Sequence, residues 1–383
     1  MQSGVGSYIE AAVLVAIGRN LRLLSLSSRL YLDHAATTPV LPEARAAMAA
    51  ALGAWANPSS PHGDGRQARA ALEAARRGIA EALEWRHDVI LTSGASEAIQ
   101  IAASRAKVAR RIIGPTEHEA VEAAMGEGAE RLSVHVNGLI DLGALEEALK
   151  GGPALVAIQL VNNETGVIQP IGEIGNVVRA AGSLLLCDCA QAAGKIALPD
   201  ADFIAISGHK FGGPPGAGGL LVKDIATLRP SGGQERGYRR GTENLPAAAA
   251  MTAALQSRAF VDAMERLSIL RAILEDAIVA EGGVVITADA PRIATIGAYA
   301  SPGLSSASLL AQLDLAGISV SAGSACSSGS MKPSRVLGAM GVPIDVATSA
   351  IRASFGPSTS ESDIQRFLTE WRRIKARSKS EAA

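Results

Sequence analysis

Between about residue 64 and residue 222, Ala-rich stretches of helical periodicity alternate with short apolar runs that end in polar or glycine residues. This alternation is the pattern of βαβ units, in which helices join parallel strands and cover the sheet. The strand-like runs are Asp88–Leu91, Arg111–Gly114, Leu155–Leu160, Ser183–Cys187, Phe203–Ile206 and Gly219–Val222. We therefore predict an α/β fold with a mainly parallel sheet flanked by helices.

Helical periodicity, with apolar residues at three- and four-residue spacing, is clearest in five stretches. They are Gly65–Glu84, Ser96–Arg105, Leu142–Lys150, Ile171–Ala181 and Leu245–Glu281. After Gly282–Gly283 the pattern changes to strand-like Val284–Thr287, Thr295–Tyr299 and Ile318–Ser321, a helix near Ala307–Ala316, and a closing helix from Glu361. The expected organisation is an extension over residues 1–28, a segment over 29–44 that joins the small domain, a large domain over 45–283, and a small α+β domain over 284–383.

The composition excludes several classes of protein. The chain has 383 residues, of which 48% are hydrophobic and 19% charged, as is typical of a globular protein and not of a disordered chain or a coiled coil. Its 36 Lys and Arg residues nearly balance 37 Asp and Glu residues, so no nucleic-acid partner is expected. Three cysteines cannot form a disulfide framework and fit a reducing compartment, which predicts a cytoplasmic protein.

The N-terminal region contains one apolar run, Ala11 to Ile17, which is far shorter than the roughly 20 residues that span a bilayer. No membrane partner is expected. Glu10 precedes this run, where a secretory signal carries positive charge. We interpret residues 1–28 as a plain extension, with an organelle transit peptide as the alternative.

Polar residues collect where the predicted strands end. They are Asn163 after strand 155–160, Asp188 and Gln191 after strand 183–187, and His209 and Lys210 after strand 203–206. Ligands of open α/β sheets sit at the carboxyl ends of the strands. These five side chains are therefore expected to share one edge of the sheet.

Lys210 is flanked by small residues after a buried strand, which suits a lysine that is desolvated to form a Schiff base. Asp188 lies about twenty residues earlier, and a carboxylate that faces a pyridinium nitrogen is the usual partner of a lysine-bound pyridoxal phosphate. Taken singly, Lys210 would be a solvated lysine and Asp188 a turn residue. The occurrence of both residues together is what favours a site for lysine-bound pyridoxal phosphate.

Two further segments fit such a cofactor. Thr92 to Glu97 lies between a strand and a helix, where backbone N–H groups and hydroxyls can cradle a phosphate, although an ordinary helix cap has the same sequence. His118 follows a strand, where an imidazole can stack on a flat ring and move protons near neutral pH. A lone histidine in a loop is otherwise a surface residue.

The cysteines and one arginine have separate interpretations. Cys187 and Cys189 have poor spacing for zinc and are expected to be buried small apolar residues, with no metal site. Cys326 lies in a loop of Ser, Ala and Gly residues that leaves its sulfur accessible, which favours a nucleophile over an incidental thiol. Arg352 lies on an apolar, strand-like segment and needs a carboxylate, which substrate or a structural Asp or Glu could supply.

Several ordered motifs together resemble those of the cysteine desulfurases, which have the class V aminotransferase fold. The motifs are Tyr31-Leu32-Asp33-His34-Ala35-Ala36-Thr37-Thr38-Pro39, Asn57-Pro58-Ser59-Ser60, Thr92-Ser93-Gly94-Ala95-Ser96-Glu97, Asn162-Asn163-Glu164-Thr165-Gly166, Ser207-Gly208-His209-Lys210, Gly232-Gly233-Gln234-Glu235-Arg236-Gly237 and Arg240-Gly241-Thr242-Glu243-Asn244, together with the Cys326 loop, which is similar to that of the long-loop group. The resemblance runs from about Tyr31 to the last helix. It implies a fold-type I, pyridoxal phosphate-dependent homodimer that converts L-cysteine to L-alanine.

The resemblance also implies roles for individual residues. Lys210 is similar to the Schiff-base lysine, Asp188 to the partner of the pyridine nitrogen, Gln191 to the donor to the ring hydroxyl, and His118 to the ring-stacking acid–base group. The implied phosphate ligands are Ala95, Ser96, Ser207 and His209, with Thr242 of the partner subunit.

For the substrate, Asn163 and Arg352 resemble the clamp on the cysteine carboxylate, and Asn163 also lies among the implied cofactor contacts. Cys326 resembles the persulfide carrier, which implies a sulfur-acceptor protein such as an iron–sulfur scaffold. Alternatives with the same fold are a selenocysteine lyase and an aminotransferase. A catalytically silent sulfur-relay partner is the alternative that is not an enzyme.

Overall fold

The computed structural model describes residues 29–53, 55–322 and 334–381, so the predicted extension and Cys326 lie outside the described residues. In chain order the strands are β1 (Leu30–Tyr31), β2 (Asp88–Thr92), β3 (Arg110–Ile113), β4 (Glu130–Arg131), β5 (Ala154–Gln159), β6 (Leu184–Asp188), β7 (Phe203–Ser207), β8 (Gly218–Val222), β9 (Val284–Val285), β10 (Ile296–Ala300), β11 (Ile318–Ser319) and β12 (Ala350–Ser354). The helices are α1 (Pro42–Leu52), α2 (Gly63–Ala82), α3 (Ala95–Arg105), α4 (Glu119–Met125), α5 (Leu142–Leu149), α6 (Ile171–Ala180), α7 (Leu245–Gln256), α8 (Ala259–Ala280), α9 (Ser306–Leu315), α10 (Arg335–Ala339), α11 (Ile344–Ala347) and α12 (Glu361–Glu381).

A seven-stranded sheet in the order β2-β8-β7-β6-β5-β3-β4 forms the centre of the molecule. Neighbouring strands are parallel except at β8, which is antiparallel to both β2 and β7. Strands β5 and β7 are buried along their whole length, because helices cover both faces of the sheet. The predicted α/β fold is confirmed.

The core of this sheet has two sides. Val156 and Ile158 of β5 belong to the apolar cluster on one face, and Leu155 and Ala157 belong to the cluster on the other. This alternation follows from the two-residue period of a strand. Both faces of the strand are apolar, which explains why its sequence is one continuous hydrophobic run.

Two smaller sheets lie outside the central one. Strands β12, β10 and β9 form an antiparallel sheet, and β1 pairs in parallel with β11. Isolated bridges join Asp33 to Ser354 and Ser321 to Arg352. The N-terminal segment and the end of the β11 segment are thereby held against β12, which carries Arg352.

A separate apolar cluster packs around Tyr299, Phe367 and Trp371, and it includes Leu267 and Leu274 of α8. The division of the chain at residue 283 remains a prediction. The packing of α8 favours grouping this helix with the C-terminal unit.

One predicted helix is wrong. The periodicity over Leu245–Glu281 predicts a single helix, whereas the structure has α7 and α8 with a break at Ser257 and Arg258. Arg258 takes the left-handed conformation with φ of 54°. Helix α7 packs on the central core and α8 on the second cluster, so the chain must change direction between them.

The other predicted helices and strands are found with their ends shifted by one or two residues. Short elements such as α4, α10 and α11 were not predicted, because one or two helical turns show too little periodicity. Within the described residues, no helix is both long and apolar enough to cross a membrane.

Candidate active site

A cavity of about 520 Å³ opens at the carboxyl ends of β5, β6 and β7. Its lining includes the predicted site residues Ala95, Ser96, His118, Asn163, Asp188, Gln191, Ser207, His209, Lys210 and Arg352. The expectation that the polar strand ends share one edge of the sheet is therefore confirmed. Thr242 is exposed and is not part of this lining.

Lys210 ends the short 3-10 turn Gly208–Lys210 that follows β7. Its Nζ atom donates hydrogen bonds to the carbonyl oxygens of Ala35 at 2.6 Å and Ala36 at 2.9 Å. Burial and the positive charge of Arg352 lower the pKa of Lys210 to about 8, against an opposing effect of nearby carboxylates. The amine is therefore more easily neutral, and more nucleophilic, than a solvated lysine.

Asp188 is the last residue of β6 and only 9% exposed. One carboxylate oxygen accepts a hydrogen bond from the backbone N–H of Ala190 at 2.9 Å. Burial raises the pKa of Asp188, while this hydrogen bond and the charges of His118 and Lys210 act against the rise. A carboxylate with so little contact with water is stabilised by a cation placed in the cavity.

His118 caps the N-terminus of α4. Its Nδ1 atom accepts a hydrogen bond from the backbone N–H of Ala120 at 3.1 Å. Because Nδ1 is an acceptor here, the neutral ring carries its proton on Nε2. The cap thus selects the tautomer of a histidine that lines the cavity.

The start of α3 forms one end of the cavity through Gly94, Ala95 and Ser96. The first N–H groups of this 11-residue helix have no partner within the helix and lie at its positive end. A Cβ atom at Gly218 would lie 2.5 Å from the Cα of Gly94, so only glycine allows this close approach. Ser207, the last residue of β7, adds a hydroxyl group to the lining of the cavity. The arrangement is suited to a phosphate.

The structure identifies the carboxylate that pairs with Arg352, which the sequence left open between the substrate and a structural Asp or Glu. Its Nη2 atom donates to the Asp33 carboxylate at 2.8 Å, and its Nη1 atom donates to the carbonyl oxygen of Asn163 at 2.8 Å. A structural aspartate therefore pairs with this buried guanidinium. The Nε–H group is also buried and has no partner among the described residues.

Sequence reasoning assigned no role to Asp33, Lys195 or the carbonyl oxygen of Ala35. Asp33 lies inside a motif that carried the resemblance, and a buried arginine on an apolar strand requires such a carboxylate. These two signals together could have identified Asp33. The role of the Ala35 carbonyl oxygen could not be predicted, because a backbone group leaves no side-chain pattern in the sequence.

Cys187 and Cys189 are both fully buried, with their sulfur atoms 3.6 Å apart. Burial raises the pKa of the Cys187 thiol well above its usual value, which makes it inert. Their interpretation as small buried apolar residues is confirmed. Across the described residues, no group of three or more His, Cys, Asp and Glu side chains is arranged to hold a metal ion.

Comparisons with known proteins agree with this geometry. Residues 30–367 match the family described as aminotransferase class-V. An IscS-like cysteine desulfurase of Mycobacterium tuberculosis is 38% identical over 374 residues, which cover 88% of this chain and 94% of that protein. A cysteine desulfurase of Cereibacter sphaeroides is 36% identical, with 89% of this chain and 94% of that protein covered.

Solved structures show the same relationship. A NifS-like protein from Rickettsia africae superposes with a TM-score of 0.82 at 29% identity, covering 91% of this chain and 99% of that chain. A second chain described as a NifS-like protein gives the same values. The chain therefore belongs to the class-V aminotransferase family and, within it, to the cysteine desulfurases.

Proposed function

We propose that this protein is a pyridoxal phosphate-dependent cysteine desulfurase that converts L-cysteine to L-alanine and transfers the sulfur to Cys326 as a persulfide. One observation carries the proposal. A single cavity brings together the amine of Lys210, the buried carboxylate of Asp188, the N-terminus of α3 and the guanidinium of Arg352. The names of the relatives support the same activity.

The residues present fit pyridoxal phosphate. The N-terminus of α3, with Ser96, Ser207 and His209 beside it, would hold the phosphate. Asp188 would face the pyridine nitrogen and Gln191 the ring hydroxyl, while Lys210 would bind the aldehyde carbon. When bound, the cofactor supplies an electron sink for the negative charge that forms at the substrate Cα.

Lys210 and His118 handle the protons. The Nζ atom of Lys210, whose pKa is lowered to about 8, takes the proton from the substrate Cα when the amine is neutral. The Nε2 atom of His118 is the ring nitrogen left free by the helix cap, so it exchanges protons with the substrate. Two bases at separate points allow one proton to leave carbon and another to reach it.

Arg352 and Asn163 bind the substrate carboxylate. Asp33 holds the guanidinium from one side and the carbonyl oxygen of Asn163 holds it from another, so its position is set before substrate arrives. Pre-organised donors lose little entropy when they bind a ligand. This clamp selects an amino acid with a free α-carboxylate.

Cys326 accepts the sulfur. Its thiolate attacks the sulfur atom of the substrate, an S–S bond forms, and the C–S bond breaks with its electron pair left on carbon. Protonation of that carbon, the substrate Cβ, and return of a proton from Lys210 to Cα give L-alanine, and Cys326 retains the persulfide. Ser321 lines the cavity and precedes Cys326 by five residues, which span at most about 18 Å in a fully extended chain.

The proposal extends to assembly and partners. The protein acts as a homodimer in which Thr242 of the partner subunit completes the phosphate site, since this exposed residue lies outside the cavity of its own chain. The persulfide passes to a sulfur-acceptor protein, such as an iron–sulfur scaffold. The reducing conditions of the cytoplasm keep the Cys326 thiol available.

The test is to incubate the purified protein and cofactor with L-cysteine and to measure alanine and protein-bound persulfide together. We expect both products from the wild type. The Cys326→Ala variant should bind the cofactor and form no persulfide, whereas Cys189→Ala, which removes a buried cysteine, should retain both activities.

Two outcomes would contradict the proposal. Sulfide release by Cys326→Ala at the wild-type rate would remove the role of that thiol and favour a lyase that needs no persulfide carrier. A protein that binds the cofactor and makes no alanine from cysteine would move the assignment to another substrate of the same fold.

A further inference from the structure

Lys195 is a buried lysine behind the cavity that the proposed chemistry does not use. The residue is 3% exposed. Its described contacts are the Oε1 atom of Gln191 at 3.5 Å and the ring of Phe260, whose centroid lies 5.0 Å from Nζ. No ion pair between described residues includes it. A buried ammonium without a carboxylate lowers stability, so its presence calls for an explanation.

Lys195 is linked to Lys210 by a chain of hydrogen bonds. Lys195 contacts Oε1 of Gln191, and Nε2 of Gln191 donates to the carbonyl oxygen of Ala35 at 2.8 Å. The same oxygen accepts a hydrogen bond from Lys210 at 2.6 Å. One amide and one carbonyl group therefore connect the two lysines.

This chain fixes the orientation of the Gln191 amide. An ammonium can only donate and a carbonyl oxygen can only accept, so Oε1 must face Lys195 and Nε2 must face Ala35. The amide nitrogen carries a second hydrogen, and Gln191 lines the cavity. The amide thus keeps one N–H donor for a ligand.

The charges around Lys195 are mostly positive. Burial, followed by the charges of Lys210 and Arg352, lowers its pKa to about 7. In turn, burial and the charge of Lys195 lower the pKa of His34 to about 4. His209 is affected in the same direction by burial, Lys210 and Lys195. The opposing carboxylates are those of Asp33 and Asp188 on the side of Lys210.

We propose that Lys195 is a positioning residue for the cofactor: its amine donates to Oε1 of Gln191 and so holds the Gln191 amide with an N–H donor available to the cavity, and in its protonated form it supplies a positive charge that favours an anionic oxygen there. The inference rests on the proposed function, because it takes pyridoxal phosphate as the ligand. The same charge disfavours a proton on Lys210. Removal of the charge therefore raises the pH at which the Lys210–cofactor adduct loses its proton.

The experiment compares Lys195→Met, which removes both the charge and the donor, with Lys195→Gln, which keeps a donor without the charge. Lys223→Met is the matched control at a surface ion pair. For each holoenzyme, the absorbance of the bound cofactor is recorded from pH 6 to pH 10, and the dissociation constant of pyridoxal phosphate is measured. Thermal unfolding of each variant checks its structure.

We expect Lys195→Met to bind the cofactor about tenfold more weakly and to raise the absorbance midpoint by roughly half to one pH unit. Lys195→Gln should show the same rise in midpoint with a smaller loss of affinity, because its side chain still contacts Gln191. If Lys195→Met does not fold, the midpoint of Lys195→Gln decides the question. The control should match the wild type.

The two proposals fail in different ways. If the wild type does not bind pyridoxal phosphate, the proposed function is wrong. If the wild type binds it and both Lys195 variants keep the wild-type midpoint and affinity, the positioning role is wrong and the proposed function stands. A lower melting temperature with an unchanged midpoint would likewise assign Lys195 a structural role only.

Discussion

The molecule buries charge in two regions and compensates it differently in each. At the outer edge of the central sheet, Arg76 and Glu235 form a bidentate pair with N–O distances of 2.5 and 3.0 Å. Arg76 also donates to the carbonyl oxygen of Val89 and to Glu73, and Glu235 accepts the backbone N–H of Leu91. Each charge in this region has partners on several sides.

At the cavity and behind it, by contrast, the half-buried Lys210 and the buried Lys195 are only partly compensated. Lys210 donates to two neutral carbonyl oxygens, and Lys195 has one amide oxygen at 3.5 Å. The pKa values of these two lysines are lowered to about 8 and about 7. Burial and neighbouring positive charges cause both shifts, and the carboxylates of Asp33 and Asp188 offset only part of the shift of Lys210.

The two regions have different roles, because the paired charges stabilise the fold and the poorly compensated lysines provide reactive groups. A fully paired ion pair holds the loop that contains Glu235 and Arg236, two residues with positive φ of 50° and 55°. Unpaired lysines weaken the fold and provide reactive amines. Substitutions in the first region should therefore change stability, and substitutions in the second should change activity.

The largest effect is expected for Lys210→Ala. Loss of the Lys210 amine, which is proposed to bind the cofactor aldehyde and to take the Cα proton, should lower alanine formation by about 10⁴-fold or more. The free energy of unfolding should fall by less than about 1 kcal/mol, because the cation that is removed is half-buried and only partly compensated. Denaturant unfolding and single-turnover assays measure the two quantities. A large loss of stability would contradict the comparison.

Glu235→Ala should have the opposite result. Arg76 would remain buried without its main counter-charge, which is expected to lower the free energy of unfolding by about 3–5 kcal/mol. Asp262→Ala is the control, because it breaks an exposed pair with Arg258 and should cost less than about 1 kcal/mol. Equal unfolding midpoints for the two variants in urea would show that the buried pair adds no stability.

The buried His34 should make the stability of the folded protein depend on pH. Its pKa is lowered from 6.5 to about 4 by burial and by Lys195, so the unfolded chain binds a proton that the folded protein excludes. This group's contribution to stability is complete above pH 6.5 and is lost as the pH falls toward 4, at up to about 1.4 kcal/mol per pH unit.

The His34→Gln variant should flatten this slope in unfolding experiments between pH 6.5 and 4. The same substitution at the exposed His135, His135→Gln, is the matched control. If His34→Gln unfolds with the wild-type pH dependence, His34 is protonated in the folded protein and the cavity is less positive than we infer.

The smallest effect is expected for Asp33→Asn, which leaves Arg352 in place with a weaker partner. The KM for L-cysteine should rise about tenfold, which corresponds to about 1.4 kcal/mol, with a smaller change in kcat. Asp200→Asn on the surface is the control. A fall in kcat at unchanged KM would show that Asp33 acts on the chemical step instead of the substrate clamp.

The sequence predicted much of the central sheet and of the cavity because both depend on local signals. Continuous apolar runs mark β5 and β7, and the polar residues that follow each run are placed together by parallel pairing. Lys210, Asp188 and Gln191 could therefore be assigned to one edge before the structure was known. The break between α7 and α8 was not predicted, because the helical periodicity of the apolar residues continues across Arg258.

The sequence by itself determined which side chains are available: one lysine after a buried strand, one carboxylate on the neighbouring strand, and one cysteine in a small-residue loop. The tertiary structure decided what surrounds them. Asp33 meets Arg352 across 319 residues, and Ala35 accepts a hydrogen bond from Lys210 across 175. Such contacts are set by how distant segments pack, and that packing determines burial, counter-charge and pKa, which no local pattern of residues encodes.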